Sequence, residues 1–187
     1  MRSLRHKLFA GGMATVATIV LLAGVLPARR SSAALPNEYA LKSVFLYNFC
    51  RFIDWPDAAF SGPGDPIVIG VFGEDPFGPL LPEAVQGETF HGRSIRIEHY
   101  RNPRDAVRCH LLFVGASEAP RVGDVLAAVA GRSIVTVGET ESFVERGGMI
   151  ALVADRNRIR LLVNPAPLRA AKLDVSSKLL RVAEIIR

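Results

Sequence analysis

Short runs of apolar residues alternate with helix-like stretches along most of this chain. Residues 67–72 (IVIGVF) and 110–114 (HLLFV) are nearly unbroken apolar runs, which are typical of strands buried on both faces. Residues 94–100 (SIRIEHY) alternate apolar and polar side chains, as a more exposed strand does. Further strands are predicted at residues 133–137 and 149–153, and helices at residues 80–86, 122–130, 142–145 and 168–186.

The last two strands differ from the others in how they are connected. A polar turn separates residues 149–153 from residues 158–163 (RIRLLV), which predicts an antiparallel hairpin. Alternation of strands and helices before it predicts parallel pairing. The sequence therefore predicts an α/β fold: a single-domain sandwich with a mostly parallel sheet, an antiparallel C-terminal hairpin and helices on both faces.

The segment at residues 40–56 (ALKSVFLYNFCRFIDWP) is unusually aromatic for a chain in which Phe, Trp and Tyr make up 7% of the residues. It is predicted to be a helix that ends at Trp55-Pro56. Leu41, Phe45 and Phe52 lie at helical spacing and are predicted to face the core. Its far end is then expected to meet solvent.

Residues 1–34 are predicted to be a cleaved secretory signal peptide. A basic start precedes an uncharged, largely apolar run of 19 residues (8–26), and small residues at 32–34 suit a signal peptidase. An uncleaved membrane anchor is the alternative, because a run of this length nearly spans a bilayer. We expect residues 35–187 to form the exported domain.

Removal of that segment changes the charge. Residues 1–34 contain 5 basic residues and no acidic one, so the formal net charge of +5 falls to zero. A neutral domain lacks the positive surface of a nucleic-acid-binding protein, and that class is excluded. Two cysteines, Cys50 and Cys109, would enter an oxidising compartment. They can form a disulfide there only if the fold brings them together, which the sequence does not establish.

Sequence patterns of catalysis are absent. The chain has no nucleophile elbow, zinc-binding helix or glycine-rich phosphate loop, so we predict neither an enzyme nor a cofactor or metal. Four acidic residues follow predicted strands, where parallel sheets bind ligands, and they would suit a cation or an amine. The alternative is that they cap the helices that follow. These residues are Glu74, Asp75, Glu139 and Glu141.

The C-terminal segment around Ser176, Ser177 and Lys178 has two interpretations. A serine and a lysine two residues apart can form a nucleophile and its base. More simply, Ser176 or Ser177 caps the final helix and Lys178 lies in its solvated first turn.

Several segments resemble, in order, those of the YfiR-like family of secreted bacterial proteins. They are ALKSVFLYNFCRFIDWP, IVIGVFGEDPFG, CHLLFVG, IVTVGETESFVERGGMIAL, RIRLLVN and SSKLLRVAEII. The resemblance implies a periplasmic, often dimeric α/β domain that is not an enzyme. It implies a repressor that binds the periplasmic sensor domain of an inner-membrane diguanylate cyclase and lowers cyclic di-GMP and biofilm formation.

The chain departs from the family pattern at positions that bear on the disulfide found in some relatives and on the binding of a small ligand. Cys109 matches a family cysteine. In relatives with a disulfide, its partner lies on the strand that corresponds to residues 67–72, which contain no cysteine here. Cys50 stands where many relatives have a small residue. Leu162 stands where relatives commonly have an acidic residue. A small-molecule-binding sensor module, with its site at the acidic loops, is the alternative function.

The expected partner surface is an exposed apolar patch rimmed by polar groups. The candidate binding residues fall in two segments of the chain, the end of the aromatic helix and the cap of the last helix. They are Arg51, Asp54, Trp55, Asp174, Ser176, Ser177 and Lys178.

Overall fold

The computed structural model describes residues 38–156 and 158–186. The signal peptide predicted at residues 1–34 lies outside these ranges. The strands are Ile53–Asp54 (β1), Ile67–Phe72 (β2), Thr89–Phe90 (β3), Arg93–Tyr100 (β4), Leu111–Val114 (β5), Val135–Gly138 (β6), Ile150–Asp155 (β7), Arg158–Val163 (β8), Asp174–Val175 (β9) and Glu184–Ile185 (β10). The α-helices are Glu38–Phe52 (α1), Leu80–Val85 (α2), Val122–Val129 (α3), Glu141–Glu145 (α4), Pro165–Ala170 (α5) and Ser177–Leu180 (α6).

Eight strands form one sheet in the order β10-β8-β7-β6-β5-β2-β4-β3. The five strands from β4 to β7 in this order pair in parallel, and β7 pairs with β8 as an antiparallel hairpin. β3 adds a short antiparallel edge, and β10 pairs in parallel with β8 at the other edge. The predicted α/β fold with a mostly parallel sheet and an antiparallel C-terminal hairpin is confirmed.

Each face of the sheet is covered by helices over its own hydrophobic core. One core contains Leu46 and Phe49 of α1, Leu81 of α2 and the inward side chains of α5 and α6. The other contains Val125 of α3 and residues of α4. The apolar runs at β2, β5 and β6 are buried because both of their faces meet a core. Helices on both faces are thus confirmed.

The prediction for the end of the first helix is wrong. α1 ends at Phe52, three residues before Trp55, because Ile53 and Asp54 leave the helix to pair with β9. Its buried face also differs from the predicted one. Leu41 is 41% exposed, whereas Leu46 and Phe49 are fully buried.

The prediction of helices throughout residues 168–186 is wrong in part. α5 and α6 are short, and two-residue strands follow each of them. Lys172, just after α5, has a positive φ of 56°, which ends helical geometry. The strands form because β9 and β10 hydrogen-bond to neighbouring strands, a tertiary effect that local propensity does not contain.

Candidate interaction site

A short antiparallel ribbon brings the two predicted binding segments together. Ile53 of β1 lies opposite Val175 of β9, and Asp54 lies opposite Asp174. The Ser176 N–H donates a 2.8 Å hydrogen bond to the Phe52 carbonyl, which extends the ladder. Ile53 is fully buried and anchors the ribbon to the core. The end of α1 and the cap of α6 therefore share one surface.

Two carboxylates lie side by side on that surface. Asp54 and Asp174 are exposed and directly opposite each other, an arrangement that costs energy for like charges on paired strands. The Asp54 carboxylate is 3.6 Å from the His91 imidazole, which compensates it only when the imidazole is protonated. Asp174 has no ion pair among the described residues. The pair is suited to a positively charged group from outside the chain.

The cap prediction for the last helix is confirmed. The Ser176 side chain accepts a 3.3 Å hydrogen bond from the Lys178 N–H, so Ser176 is the N-cap of α6. Ser177 and Lys178 are exposed at the start of that helix. Arg51 is exposed at the end of α1, where its guanidinium lies 5.9 Å from the centre of the Tyr47 ring. These side chains therefore form a polar rim beside the ribbon, with positive charges at Arg51 and Lys178.

Trp55 has a structural role that the sequence did not reveal. Its ring is half-buried, and its Nε1–H donates a 3.0 Å hydrogen bond to the His110 carbonyl. The indole also meets the His110 imidazole edge to face, with ring centres 6.3 Å apart. Trp55 thus fixes the segment after β1 to the start of β5, and it offers only part of its surface to a partner.

His110 is held in its neutral form by two backbone groups. The Val68 N–H donates to Nδ1 at 3.0 Å, so Nε2 carries the proton and faces the Ala59 carbonyl at 3.2 Å. The ring also stacks on Phe60, with centres 4.5 Å apart. Burial lowers the pKa of His110 below its ordinary value of 6.5, and the nearby Arg93 charge acts in the same direction.

We expect His110 to make the domain less stable as pH falls. Because the folded-state pKa lies below that of the unfolded chain, the unfolded chain binds a proton first, starting near pH 6.5. The stability contributed by neutral His110 is therefore complete above about pH 6.5 and is lost as pH falls toward the folded-state pKa. The measurement is urea unfolding of the wild type and of His110→Gln between pH 5 and pH 8.

The difference between the two curves of unfolding free energy against pH isolates His110, because every other side chain is the same in both proteins. His99→Gln is the matched control and should keep the contribution of His110 intact. Parallel curves for the wild type and His110→Gln would show that His110 is not the titrating group.

A cavity of about 360 Å³ adjoins the ribbon. Its wall includes the aromatic side chains of Trp55, Phe60 and Phe90 together with the carboxylate of Asp54. The Arg93 guanidinium lies 3.7 Å from the centre of the Phe60 ring and donates hydrogen bonds to the Gly62 and Asp65 carbonyls. Asp57 and His91 also line the cavity, so its wall is largely polar. Aromatic faces beside a carboxylate are the groups that contact a small aromatic or amine ligand.

The crevice where parallel sheets usually bind ligands is narrowed by side chains of the chain itself. The loops after β2 and β5 diverge toward helices on opposite faces, which defines this crevice. Lys42 of α1 enters it and pairs with Glu139 and Glu38, each at 2.5 Å. The other oxygen of Glu139 accepts a 2.7 Å hydrogen bond from the Ala116 N–H. The Lys42 and Glu139 side chains are only 2% and 5% exposed.

Sequence reasoning missed Lys42 altogether. Its signal was available, since Lys42 precedes Leu46 and Phe49 at helical spacing and so lies on the buried stripe of α1. A lysine in that position requires a buried acidic partner. Glu139, considered above as a ligand or a cap, supplies it.

Two further acidic loop residues, Asp75 and Glu141, also have partners within the chain. Asp75 accepts a hydrogen bond from the Phe77 N–H and pairs with His99 at 3.0 Å. Glu141 pairs with Arg160, which also holds Glu184 of β10. The cavity that remains beside Glu74, Asp75 and Glu139 measures about 170 Å³, half that beside Trp55. Both acidic loops line this small cavity, but Asp75 and Glu139 already have partners within the chain.

The prediction that Cys50 and Cys109 can pair is not supported, because both are free thiols. Cys50 is buried in the core under α1, whereas Cys109 is buried in the core on the opposite face of the sheet. Burial raises the pKa of each thiol to about 12. Both cysteines act as small apolar side chains, and neither is a reactive nucleophile at neutral pH.

Within residues 38–156 and 158–186, no cluster of three or more His, Cys, Asp or Glu side chains is suited to a metal ion. None of the helices in this part of the chain is long and apolar enough to cross a membrane.

The architecture and the site define a mixed α/β domain with a surface ribbon and a crevice closed by its own ion pair. The family model described as YfiR/HmsC-like matches residues 39–184, and the chain belongs to this family. The family is one of periplasmic regulators linked to diguanylate cyclases rather than of catalysts.

A similar fold has been solved for another protein. The crystal structure of a conserved domain protein from Vibrio cholerae O1 biovar El Tor matches with a TM-score of 0.52 and 14% identity. The match covers 65% of this chain and 55% of that chain, and it supports the fold alone. Among curated proteins, none matches the chain significantly.

Proposed function

We propose that this protein is a periplasmic repressor of an inner-membrane diguanylate cyclase, that it acts by binding the sensor domain of the cyclase, and that it is not an enzyme. Membership of the YfiR/HmsC-like family supports the regulatory class. The single structural observation that carries the proposal is the ribbon that holds Asp54 opposite Asp174 on an exposed surface. Repression by contact would lower cyclic di-GMP and biofilm formation.

Charge and anchoring make this ribbon suitable for a protein partner. A basic side chain of the partner placed between Asp54 and Asp174 would relieve their repulsion, which makes binding favourable relative to the free state. Arg51 and Lys178 lie at the rim, where charges guide encounter and orientation. Trp55 holds the surface rigid through His110, so little conformational entropy is lost on binding.

The test combines gene deletion with complementation. Deletion should raise cellular cyclic di-GMP, and the wild-type gene should lower it again. The double variant Asp54→Lys/Asp174→Lys keeps one like-charge pair in the ribbon but repels a basic partner, so it should fold and fail to complement. The matched control is Asp124→Lys on α3, which packs on the opposite face and should complement fully.

Two outcomes would contradict the proposal. Unchanged cyclic di-GMP after deletion would remove the repressor function. Full complementation by Asp54→Lys/Asp174→Lys would move the partner surface away from the ribbon.

The cavity beside Trp55 favours a second candidate function, a small-molecule sensor. An amine or aromatic solute in this cavity would contact Trp55 and Asp54, which also belong to the ribbon, so binding could release the partner. We expect such a ligand to raise the melting temperature, as any ligand of the folded state does. An unchanged melting temperature across amino acids and aromatic amines would reject this candidate.

A further inference from the structure

The outer edge of β4 is open for most of its length. β3 pairs only with Arg93 and Ser94, so residues 95–100 have no strand on that side among the described residues. Gly73 N–H donates to the Tyr100 carbonyl, which shows that the backbone of Tyr100 faces β2. Because backbone groups alternate direction along a strand, those of Ile95, Ile97 and His99 point outward. An open edge of this length is a template for another strand.

The side chains along this edge are arranged for such a strand. Ile95 and Ile97 are half-buried on the face covered by α2, and they border an open groove of about 530 Å³ that also contains Pro79 and Pro82. On the other face of the strand, Arg96 and Glu98 form a 2.8 Å ion pair and are 59% and 29% exposed. The edge thus has an apolar side and a side with one charge of each sign.

We propose that the occupant of this edge is β4 of a second copy of this chain, paired antiparallel about Ile97 in a two-fold symmetric dimer. In this register Arg96 of each copy lies opposite Glu98 of the other, and the two Ile97 side chains meet at the axis beside the grooves. The outward backbone groups of Ile95, Ile97 and His99 then form about six hydrogen bonds across the interface. The sheets of the two copies become continuous.

The charges also exclude the neighbouring registers. Antiparallel pairing joins only residues whose backbones point outward, so the register can shift only by two positions of the opposing strand. One such shift places Arg96 opposite Arg96 of the second copy, and the other places Glu98 opposite Glu98. Like charges directly opposite each other disfavour both. A single basic and a single acidic residue thus select one register, which is the kind of self-complementarity a two-fold interface needs.

The experiment measures the mass of the protein, expressed from its full coding sequence, by sedimentation equilibrium. The wild type should be a dimer at micromolar concentration. Arg96→Glu and Glu98→Arg each create two like-charge contacts across the axis, and each should weaken the dimer roughly tenfold or more. An equimolar mixture of the two variants should dimerise again, because every Arg then faces a Glu.

Two further variants separate pairing from folding. Ile97→Pro removes an outward N–H at an edge position where proline is tolerated, so the chain should fold and stay monomeric. Arg169→Glu on α5 makes the same charge change away from the edge and should dimerise like the wild type. A monomeric wild type would overturn the proposal, as would a dimer that Arg96→Glu does not weaken. Neither result bears on repression of the cyclase, which the deletion experiment tests separately.

Discussion

Gly148→Ala is expected to lower the free energy of unfolding by about 3 kcal/mol, as overpacked cores do. A Cβ at this position would overlap the Phe143 ring and lie 2.7 Å from the Phe143 carbonyl oxygen. The ring cannot move away, because Phe143 is 3% exposed and Gly138 closes its other side, where a Cβ would be 2.6 Å from Cδ1. The Gly148 N–H also donates a 2.9 Å hydrogen bond to the Phe143 carbonyl. Gly138→Ala should have an effect of the same size.

Urea unfolding of purified variants measures this effect. Gly62→Ala is the matched control, because a Cβ at residue 62 would meet open space and the φ of Gly62 is not positive. The free energy of unfolding of this variant should differ from that of the wild type by no more than about 0.5 kcal/mol. Phe143→Leu combined with Gly148→Ala should lose less stability than the sum of the two single changes, since a smaller side chain relieves the overlap. Equal stability of Gly148→Ala and Gly62→Ala would show that the loop between α4 and β7 adjusts freely.

The strands of the main sheet were predictable because their signal is local. An apolar run such as IVIGVF leaves few alternatives to a buried strand, and the polar turn before Arg158 marks the hairpin. The ribbon of β1 and β9 was not predictable in this way. Its two strands lie more than a hundred residues apart, and each has only two residues, too few for any period to be visible.

The candidate site shows the same difference between features with a local sequence signal and features that depend on distant residues. The sequence predicts binding residues at the end of α1 and at the cap of α6, and the ribbon brings these two segments together. Their role in binding stays a prediction. The inward orientation of Trp55 could not be predicted, because it depends on a hydrogen bond to His110, a residue 55 positions away. The separation of Cys50 and Cys109 likewise depends on which face of the sheet each one reaches, a property of the whole topology.

The buried ion pair of Lys42 and Glu139 should give the other large effect on stability. Lys42→Met removes the cation and leaves the Glu139 carboxylate buried, with the Ala116 N–H and the Tyr39 hydroxyl as its neutral neighbours. Breaking one partner of a buried pair costs about 3–5 kcal/mol, because the remaining charge keeps its desolvation penalty. For a domain of this size that corresponds to a fall in melting temperature on the order of 10 °C.

The double variant Lys42→Met/Glu139→Gln tests the cause. It removes the charges of Lys42 and Glu139, leaves only that of Glu38, and keeps groups of similar volume. It should therefore be more stable than Lys42→Met alone, since well-packed neutral replacements of a buried pair are often tolerated. Lys172→Met, at an exposed lysine, is the matched control and should melt close to the wild type. Thermal unfolding followed by circular dichroism at neutral pH gives all four melting temperatures. If Lys42→Met and Lys172→Met have the same melting temperature, water reaches Glu139 and the crevice is available to a ligand. If the melting temperature of Lys42→Met is well below that of Lys172→Met, the chain needs its own lysine to close the crevice. The ligand of a sensor must then bind elsewhere.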